Sequence, residues 1–207
     1  MQHIMKKLLS ILIPTTSSRR KELAKLLFEL QEPEYLPRTM IFDLNGVPFF
    51  GYEGLLSAIE IVVCSDKKEM SIGEKRERLY GAARGLYSWQ IDDDDMIAPG
   101  AIARILKAVE SGPDCITFLE RCDMNGRSYL ANHSIKYDAW ADNKDGYDFI
   151  RTPFYKDVIR TDIARSIPFE YIRYGEDHAW SIALKPYLKT EVHLDEIVYI
   201  YQHNSKS

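Results

Sequence analysis

The stretch SIGEKRERLYGAARGLYSWQIDDDDMI, residues 71–97, changes from a helical to an extended pattern and then enters a run of carboxylates. Gly73 opens a helical pattern that continues to about residue 84, Gly85 stops it, and residues 86–91 form a predicted strand. That strand leads directly into four aspartates, Asp92, Asp93, Asp94 and Asp95. Open α/β sheets bind ligands beyond the carboxyl ends of their strands, so this turn is a natural place for a divalent cation.

The chain before this stretch alternates strands with helices. Residues 8–13 form an apolar strand that Pro14 ends, and Ser17 or Ser18 then caps a predicted helix to residue 31. Further predicted elements are a strand at residues 38–42, a turn at 43–46, a helix at 53–59 and a strand at 60–64. A helix at 99–109 and a strand at 115–119 follow the acidic turn. This alternation predicts a mostly parallel sheet flanked by helices.

The second half has a different pattern, with more aromatic and polar residues. Asn125-Gly126 predicts a hairpin turn, helices are expected near residues 156–164 and 176–184, and residues 191–201 alternate as a strand does. No repeat or linker separates the halves. We therefore expect a single domain over residues 1–207, in which residues 1–119 bind the nucleotide and residues 120–207 form a mixed acceptor side.

Composition excludes several classes of protein. The 207 residues carry 27 Lys and Arg against 31 Asp and Glu, a formal net charge of −4, which argues against general binding of polyanions. Three cysteines without a C-x-x-C pair argue against a disulfide framework and a structural zinc site. No apolar run is long enough for a transmembrane segment, and Pro14 cuts the first apolar run too short for a signal peptide. We expect a cytoplasmic protein.

Three motifs resemble those of family 2 glycosyltransferases, which have the GT-A fold. Residues 71–97 are similar to the core of that family, in which a glycine, a basic residue and a helix precede a strand that ends in D-x-D. SILIPTTSSRR, residues 10–20, looks like the family's first strand and loop, and YGEDHAW, residues 174–180, is similar to its late acidic motif. The resemblance implies an enzyme that transfers a sugar from a nucleoside diphosphate.

The chemistry of that transfer requires a positive charge at the leaving diphosphate. We expect Mn²⁺ or Mg²⁺ on Asp94, with Asp92 at the ribose or at a metal-bound water. Asp93 joins the nucleotide-sugar set, although its side chain is expected to point elsewhere. Lys75 and Arg76 are expected to contact the diphosphate or to order the acidic loop.

The resemblance also suggests the remaining site residues. It places the general base at Asp177, with Glu176 orienting a neighbour; the local alternative is that both carboxylates only favour the first turn of a helix. His203 is a candidate metal ligand, and Lys156 a candidate contact to phosphate or acceptor.

Base recognition in this family uses the loop after the first strand and an aspartate after the second. Thr15 and Arg19 are the loop candidates, and the aspartate is either Asp66, which is favoured, or Asp43. Neither belongs to a double-aspartate turn of the common kind, so a UDP-sugar is favoured but not fixed.

The expected function is an inverting, metal-dependent glycosyltransferase whose acceptor is a glycan or 5-hydroxymethylcytosine in phage-type DNA. The basic residues available for a DNA acceptor are Arg19, Arg20, Lys21, Arg151, Lys156, Arg160, Arg165 and Arg173. The alternatives are a nucleotidyltransferase, which would need a glycine-rich first loop that PTTSSRRKE lacks, and a non-catalytic module that binds nucleotide sugars.

Overall fold

A ten-stranded sheet with flanking helices forms the framework of residues 7–30 and 58–203, the part of the chain that this computed structural model describes. The strands are β1 (Leu9–Thr16), β2 (Ile59–Asp66), β3 (Tyr87–Gln90), β4 (Met96–Ile97), β5 (Cys115–Met124), β6 (Arg127–His133), β7 (Ala141–Lys144), β8 (Tyr147–Arg151), β9 (Val158–Arg160) and β10 (Glu191–His203). The helices are α1 (Arg20–Glu29), α2 (Ile72–Ala82), α3 (Ala101–Ala108), α4 (Thr161–Arg165) and α5 (Glu176–Leu184). This architecture confirms the predicted α/β class.

The strand order is β2-β1-β3-β9-β5-β6-β8-β7, and β10 lies on the other side of β5 and also pairs with β4. β1 is parallel to both β2 and β3, as the alternating pattern predicted. Its register places Thr16 opposite Asp66 and Leu12 opposite Gln90, so these three strands end along one edge. The acidic turn therefore lies beside the loops that follow β1 and β2.

Helices cover both faces of this part of the sheet, which explains why β1 is apolar at successive positions. Ile11 and Ile13 pack into a cluster with residues of α1 and α3. Leu12 points to the opposite face, into a second cluster that includes Leu79 of α2 and Trp180 of α5. A strand buried on both faces holds its carboxyl end rigidly, and that end carries the candidate site.

The centre of the sheet differs from the sequence expectation because β9 is antiparallel to both β3 and β5. We predicted a helix near residues 156–164, but that segment begins with β9, and only Thr161–Arg165 is helical. Val158 and Ile159 are fully buried between the neighbouring strands. Burial in the sheet thus overrides the local helical pattern.

Other boundaries differ slightly. α1 begins at Arg20, and no side chain caps it, so the predicted serine cap is wrong. The Asn125-Gly126 turn has positive φ angles of 50° and 78°, the geometry expected for a two-residue hairpin between β5 and β6. The strand at 38–42, the turn at 43–46, the candidate Asp43 and most of the helix at 53–59 lie outside the described residues.

Candidate functional site

The acidic turn directs its four aspartates to four different surroundings. Asp92 receives a two-pronged ion pair from Arg76 of α2, with Nη1 and Nη2 at 3.0 and 3.3 Å from its two carboxylate oxygens. The Tyr155 hydroxyl donates a further hydrogen bond of 2.9 Å to Asp92. Although burial alone would raise the pKa of Asp92, Arg76 holds it below its usual value. Asp92 is therefore an anchored carboxylate.

Asp93 and Asp95 are also tied to neighbouring elements. Asp93 accepts a hydrogen bond from the Thr15 hydroxyl and an ion pair of 2.9 Å from Arg19, and its burial raises its pKa to about 6. Asp95 accepts bonds of 2.7 Å from the Tyr199 hydroxyl and 2.9 Å from the backbone N–H of Gln202, and burial raises its pKa to about 7. Asp93 thus points toward Thr15 and Arg19.

Asp94 is the aspartate of this turn that lines a pocket. Its side chain is 48% exposed, and one oxygen lies 2.7 Å from Arg19 Nη2. Three neighbours fixed by other elements thus leave one carboxylate accessible. The role of metal ligand expected for Asp94 therefore stays a prediction, made on a carboxylate that faces the pocket.

The pocket has a volume of about 830 Å³ and lies beyond the carboxyl ends of β1 and β2. Its walls come from the loop after β1, the loop after β2 and the segment before α5. The residues that line it are Thr16, Ser18, Arg19, Glu22, Lys68, Met70, Ile72, Lys75, Asp94, Arg173, Tyr174 and Gln202. Four of these are cationic and two are acidic, so the lining favours an anionic ligand.

Lys75 and Asp66 form a buried pair at the floor of this region. Lys75 Nζ lies 2.5 Å from Asp66 Oδ1 and donates a bond of 2.7 Å to the Thr15 carbonyl. The other Asp66 oxygen accepts from the backbone N–H of Met70. Burial alone would raise the pKa of Asp66, but these contacts hold that pKa below its usual value. Asp66 therefore orders the pocket floor rather than presenting a free carboxylate.

Arg76 joins the acidic turn to the start of α5. It is 4% exposed, stacks on the Tyr155 ring at 3.3 Å, and donates from Nε to Glu176 at 3.2 Å in addition to holding Asp92. Burial raises the pKa of Glu176 above its usual value, and Arg76 partly offsets that effect. Arg76 consequently orders the acidic loop, the second of the two roles expected for it.

Asp177, the candidate base, lies next to Glu176 in the first turn of α5 and is partly exposed. Its charge reaches Tyr155, whose pKa is raised chiefly by burial, then by Asp92, with a smaller contribution from Asp177. The N-terminus of α5 carries a partial positive charge that favours an ionised carboxylate. Asp177 thus lies near the acidic turn, beside the Tyr155 hydroxyl that binds Asp92.

The segment before α5 is held against α2. Gly73 N donates to the Ile172 carbonyl at 3.4 Å, and a Cβ at Gly73 would overlap the Glu170 carbonyl oxygen. This close approach requires glycine at position 73. It places Arg173 and the 90% exposed Tyr174 beside the pocket.

Lys156 does not line the pocket. It is buried, and its Nζ lies 2.6 Å from Glu120 and 3.9 Å from Asp95. Behind it, His133 bridges Glu120 and Asp157 with two contacts of 3.1 Å. Although burial alone would lower it, those carboxylates raise the pKa of His133 to about 9. A phosphate or acceptor contact for Lys156 is therefore not supported by its position.

His203 is exposed at the end of β10, and its ring stacks on Tyr201 with centroids 6.1 Å apart. The pocket is lined by the preceding residue, Gln202. Among residues 7–30 and 58–203, no three His, Cys, Asp or Glu side chains are grouped as ligands for a metal ion. The acidic turn presents one carboxylate to the pocket, Asp94, a hard oxygen ligand that suits Mn²⁺ or Mg²⁺ with its remaining ligands supplied from outside the protein.

The basic residues proposed for a DNA acceptor have mostly other contacts. Arg151 pairs with Asp142, Arg160 with Asp162, and Arg165 donates to backbone carbonyls of the α2 end. With Arg19 and Lys156 engaged as described, Arg20, Lys21 and Arg173 remain as exposed cations of that set.

Sequence reasoning missed Lys68, Met70 and Gln202 as pocket residues, and it considered Arg173 only as a contact to a DNA acceptor. The signal for Lys68 and Met70 was their place just after β2, at the same sheet edge as Thr16. Gln202 is adjacent to the predicted His203, and alternation along a strand decides which of the two faces the pocket.

The fold is that of several solved structures. The chain matches TarS 1-349 of S. aureus in complex with UDP-GlcNAc over 97% of its own length and 59% of that chain, with a TM-score of 0.66 and 15% identity. The complex of TarS 1-349 with UDP gives 96%, 61%, 0.63 and 14% for the same quantities. GalNAc-T7 with UDP, GalNAc and Mn²⁺ gives 96%, 45%, 0.61 and 13%.

These likenesses show that the chain has the predicted GT-A fold. The chain spans about three fifths or less of the length of these structures. No protein-family model and no curated protein sequence matches it. Within the described ranges, every helix is too short or too polar to cross a membrane.

Proposed function

We propose that this chain is an inverting, metal-assisted glycosyltransferase that moves a sugar from a nucleoside diphosphate sugar to an acceptor hydroxyl. The observation that carries the proposal is the cationic pocket beyond the ends of β1 and β2, with Asp94 as its accessible turn aspartate. The similar solved structures are complexes with UDP, with UDP-GlcNAc, and with UDP, GalNAc and Mn²⁺, which supports a UDP-sugar as the donor.

Different pocket residues bind the diphosphate and the nucleobase of the donor. Arg19, Lys68, Lys75 and Arg173 surround the space in which the diphosphate binds by charge-assisted hydrogen bonds. Because the cationic residues are assigned to the diphosphate, the uncharged lining residues Ser18 and Met70 are left for the nucleobase. A divalent cation held by Asp94 would neutralise the charge that develops on the leaving diphosphate.

The acceptor side is formed by the start of α5. Asp177 accepts the proton of the attacking hydroxyl, since an alcohol must lose its proton as it attacks and a positioned carboxylate can take it. Glu176 keeps Arg76 in place, and Arg76 in turn fixes Asp92 and the turn that presents Asp94. A single displacement with the base opposite the leaving group inverts the anomeric centre.

The acceptor we propose is a glycan. An exposed tyrosine ring such as Tyr174 beside the pocket suits stacking against a sugar. A DNA acceptor has less support, because most of the basic residues that would contact its phosphates already have partners. Cys64, Cys115 and Cys122 are buried thiols that form no disulfide in the described structure, which is consistent with a cytoplasmic, reducing location.

The first experiment measures thermal stabilisation and calorimetric binding of UDP, GDP, CDP and ADP, each with and without Mn²⁺. We expect one nucleotide, UDP, to stabilise the protein, and Mn²⁺ to increase the effect. Asp94→Ala should remove the Mn²⁺-dependent part, whereas Asp195→Ala, an exposed aspartate outside the pocket, should not. Absence of stabilisation by all four nucleotides would contradict the donor site.

Transfer assays then separate the remaining functions. Release of UDP from UDP-sugars that increases with added glycans supports the transferase, whereas release that increases with hydroxymethylated DNA would identify the DNA acceptor. Binding of nucleotide without turnover would identify a non-catalytic module. Incorporation of a nucleoside monophosphate from a triphosphate would identify a nucleotidyltransferase, which the glycine-free loop after β1 disfavours.

A further inference from the structure

Arg19 holds the accessible carboxylate of the acidic turn. Its Nη2 lies 2.7 Å from Asp94 Oδ2 and 2.9 Å from Asp93 Oδ1, so a single nitrogen bridges two aspartates. The side chain is 36% exposed and lines the pocket. In this arrangement the guanidinium lies beside Asp94, where a metal ion bound by that carboxylate would lie.

The hydrogen-bonding capacity of Arg19 is only partly used. A guanidinium has five N–H donors, and the contacts to Asp93 and Asp94 both use Nη2. Its Nε is buried and has no acceptor among the described residues. Since a buried donor without an acceptor costs free energy, this side chain gains from further acceptors, such as phosphate oxygens.

We propose that Arg19 is an internal counter-ion for Asp94, that a divalent cation replaces it there, and that the released guanidinium binds the diphosphate of the donor. This inference rests on the proposed function, because it takes the donor to be a nucleoside diphosphate sugar. It gives Arg19 a role other than the base contact expected from the sequence. Arg19 is thereby a positioning residue for the cation and a binding residue for the diphosphate.

The exchange couples two ligands. Mn²⁺ alone must displace an ion pair, whereas Mn²⁺ together with a nucleoside diphosphate displaces that pair and gives Arg19 new acceptors. Each ligand therefore increases the affinity for the other by the same factor. Removal of a residue with only a structural role would instead weaken the binding of both ligands.

The test measures free Mn²⁺ by electron paramagnetic resonance, with and without UDP, for wild type and Arg19→Gln. We expect Arg19→Gln to bind Mn²⁺ alone about two- to five-fold more tightly, the range for removing a partly exposed ion pair. In saturating Mn²⁺, we expect it to bind UDP about ten-fold more weakly, because charge-assisted bonds to the diphosphate are lost. Effects of opposite sign are the signature of the exchange.

Lys68→Gln is the matched control, because it removes the same charge from the same pocket at a residue that forms no ion pair with Asp94 in the described structure. It should weaken UDP but increase Mn²⁺ affinity less than Arg19→Gln does. Arg19→Lys keeps the charge on a shorter side chain and should give intermediate values. If Arg19→Gln does not fold, the same comparison of Mn²⁺ and UDP affinities is made with Arg19→Lys.

An unchanged or lower affinity of Arg19→Gln for Mn²⁺ alone, relative to Lys68→Gln, overturns the inference. Equal Mn²⁺ binding by wild type and Asp94→Ala also overturns it, because the cation would then not compete at Asp94. In either case UDP binding and sugar transfer by the wild type would leave the proposed function standing. If the wild type itself does not bind UDP, the proposed function is instead rejected.

Discussion

Replacing Arg76 with methionine should destabilise the protein strongly, because methionine keeps most of the side-chain volume but none of the charge. Arg76 is 4% exposed and its removal leaves the Asp92 and Glu176 carboxylates without their cation. Removing one partner of a buried ion pair costs about 3–5 kcal/mol. Because Asp92 is 23% exposed and water can still reach it, we take the lower end, about 3 kcal/mol.

This loss converts to a measurable shift in melting temperature. A chain of 207 residues has an unfolding entropy of about 0.43 kcal/mol per kelvin, so about 3 kcal/mol lowers the melting temperature by about 7 °C. Differential scanning calorimetry measures the shift directly. Arg78→Met is the matched control on the same helix, because Arg78 is 46% exposed and pairs only with Glu74, one turn away, in the described structure. An exposed pair of this kind contributes no more than about 0.5 kcal/mol, or about 1 °C.

A double variant tests the cause of the loss. Glu176→Gln in the Arg76→Met background removes one of the uncompensated charges and should recover at least about 0.5 kcal/mol. Folded Asp92 has a lowered pKa, so its contribution to stability is present above its ordinary pKa and is lost as pH falls through the lower, folded value. Arg76→Met should lack that acid dependence. If Arg76→Met melts within about 2 °C of Arg78→Met, the network does not order this region as we argue.

Asp177→Asn should keep nucleotide binding and slow sugar transfer by about 10²- to 10⁴-fold, whereas transfer at the wild-type rate would reject the assignment of the base. Gly73→Ala should cost about 1–3 kcal/mol in chemical denaturation because its Cβ overlaps the Glu170 carbonyl, while Gly81→Ala, with open space in the same helix, should be neutral or stabilising by up to about 1 kcal/mol. Equal effects of the two glycine substitutions would show that the contact with residue 170 yields easily. Burial alone would lower the pKa of His133, but its two carboxylate partners raise that pKa to about 9. The stabilisation by charged His133 is therefore complete below pH 6.5 and is lost as pH rises through about 9. Urea denaturation across that range should show a fall in the free energy of unfolding for wild type that is smaller in His133→Gln, and parallel curves would mean that the imidazole is not charged.

The sequence predicted the elements whose signals are local. Hydrophobic runs predicted β1 and β3, although β1 continues through Pro14 to Thr16 instead of ending there. The glycine and proline signals predicted α2 and α3 near their observed positions. β9 was missed because three residues carry too little periodicity to compete with a helical pattern. Its place is decided by the neighbouring strands, which a local pattern does not record.

The site divides in the same way. Four adjacent aspartates after a strand identified the turn, but the direction of each side chain depends on partners on other elements, such as Thr15 for Asp93. The buried position of Lys156 was not predicted, because a lone lysine in a sequence does not indicate whether its side chain is solvated or buried. Its burial depends on Glu120, 36 residues away in the chain. Pairings over such distances are set by the fold, so neither spacing nor residue type reveals them.

The anchors of the acidic turn come from distant parts of the chain. Thr15 precedes Asp93 by 78 residues, whereas Tyr155 and Tyr199 follow Asp92 by 63 and 107 residues. The accessible carboxylate therefore takes its position only after β1, the segment before β9 and β10 have all assembled. Ligand binding at this turn should accordingly disappear in the same cooperative transition as the fold itself, and a partly folded chain should have no residual affinity that titration could detect.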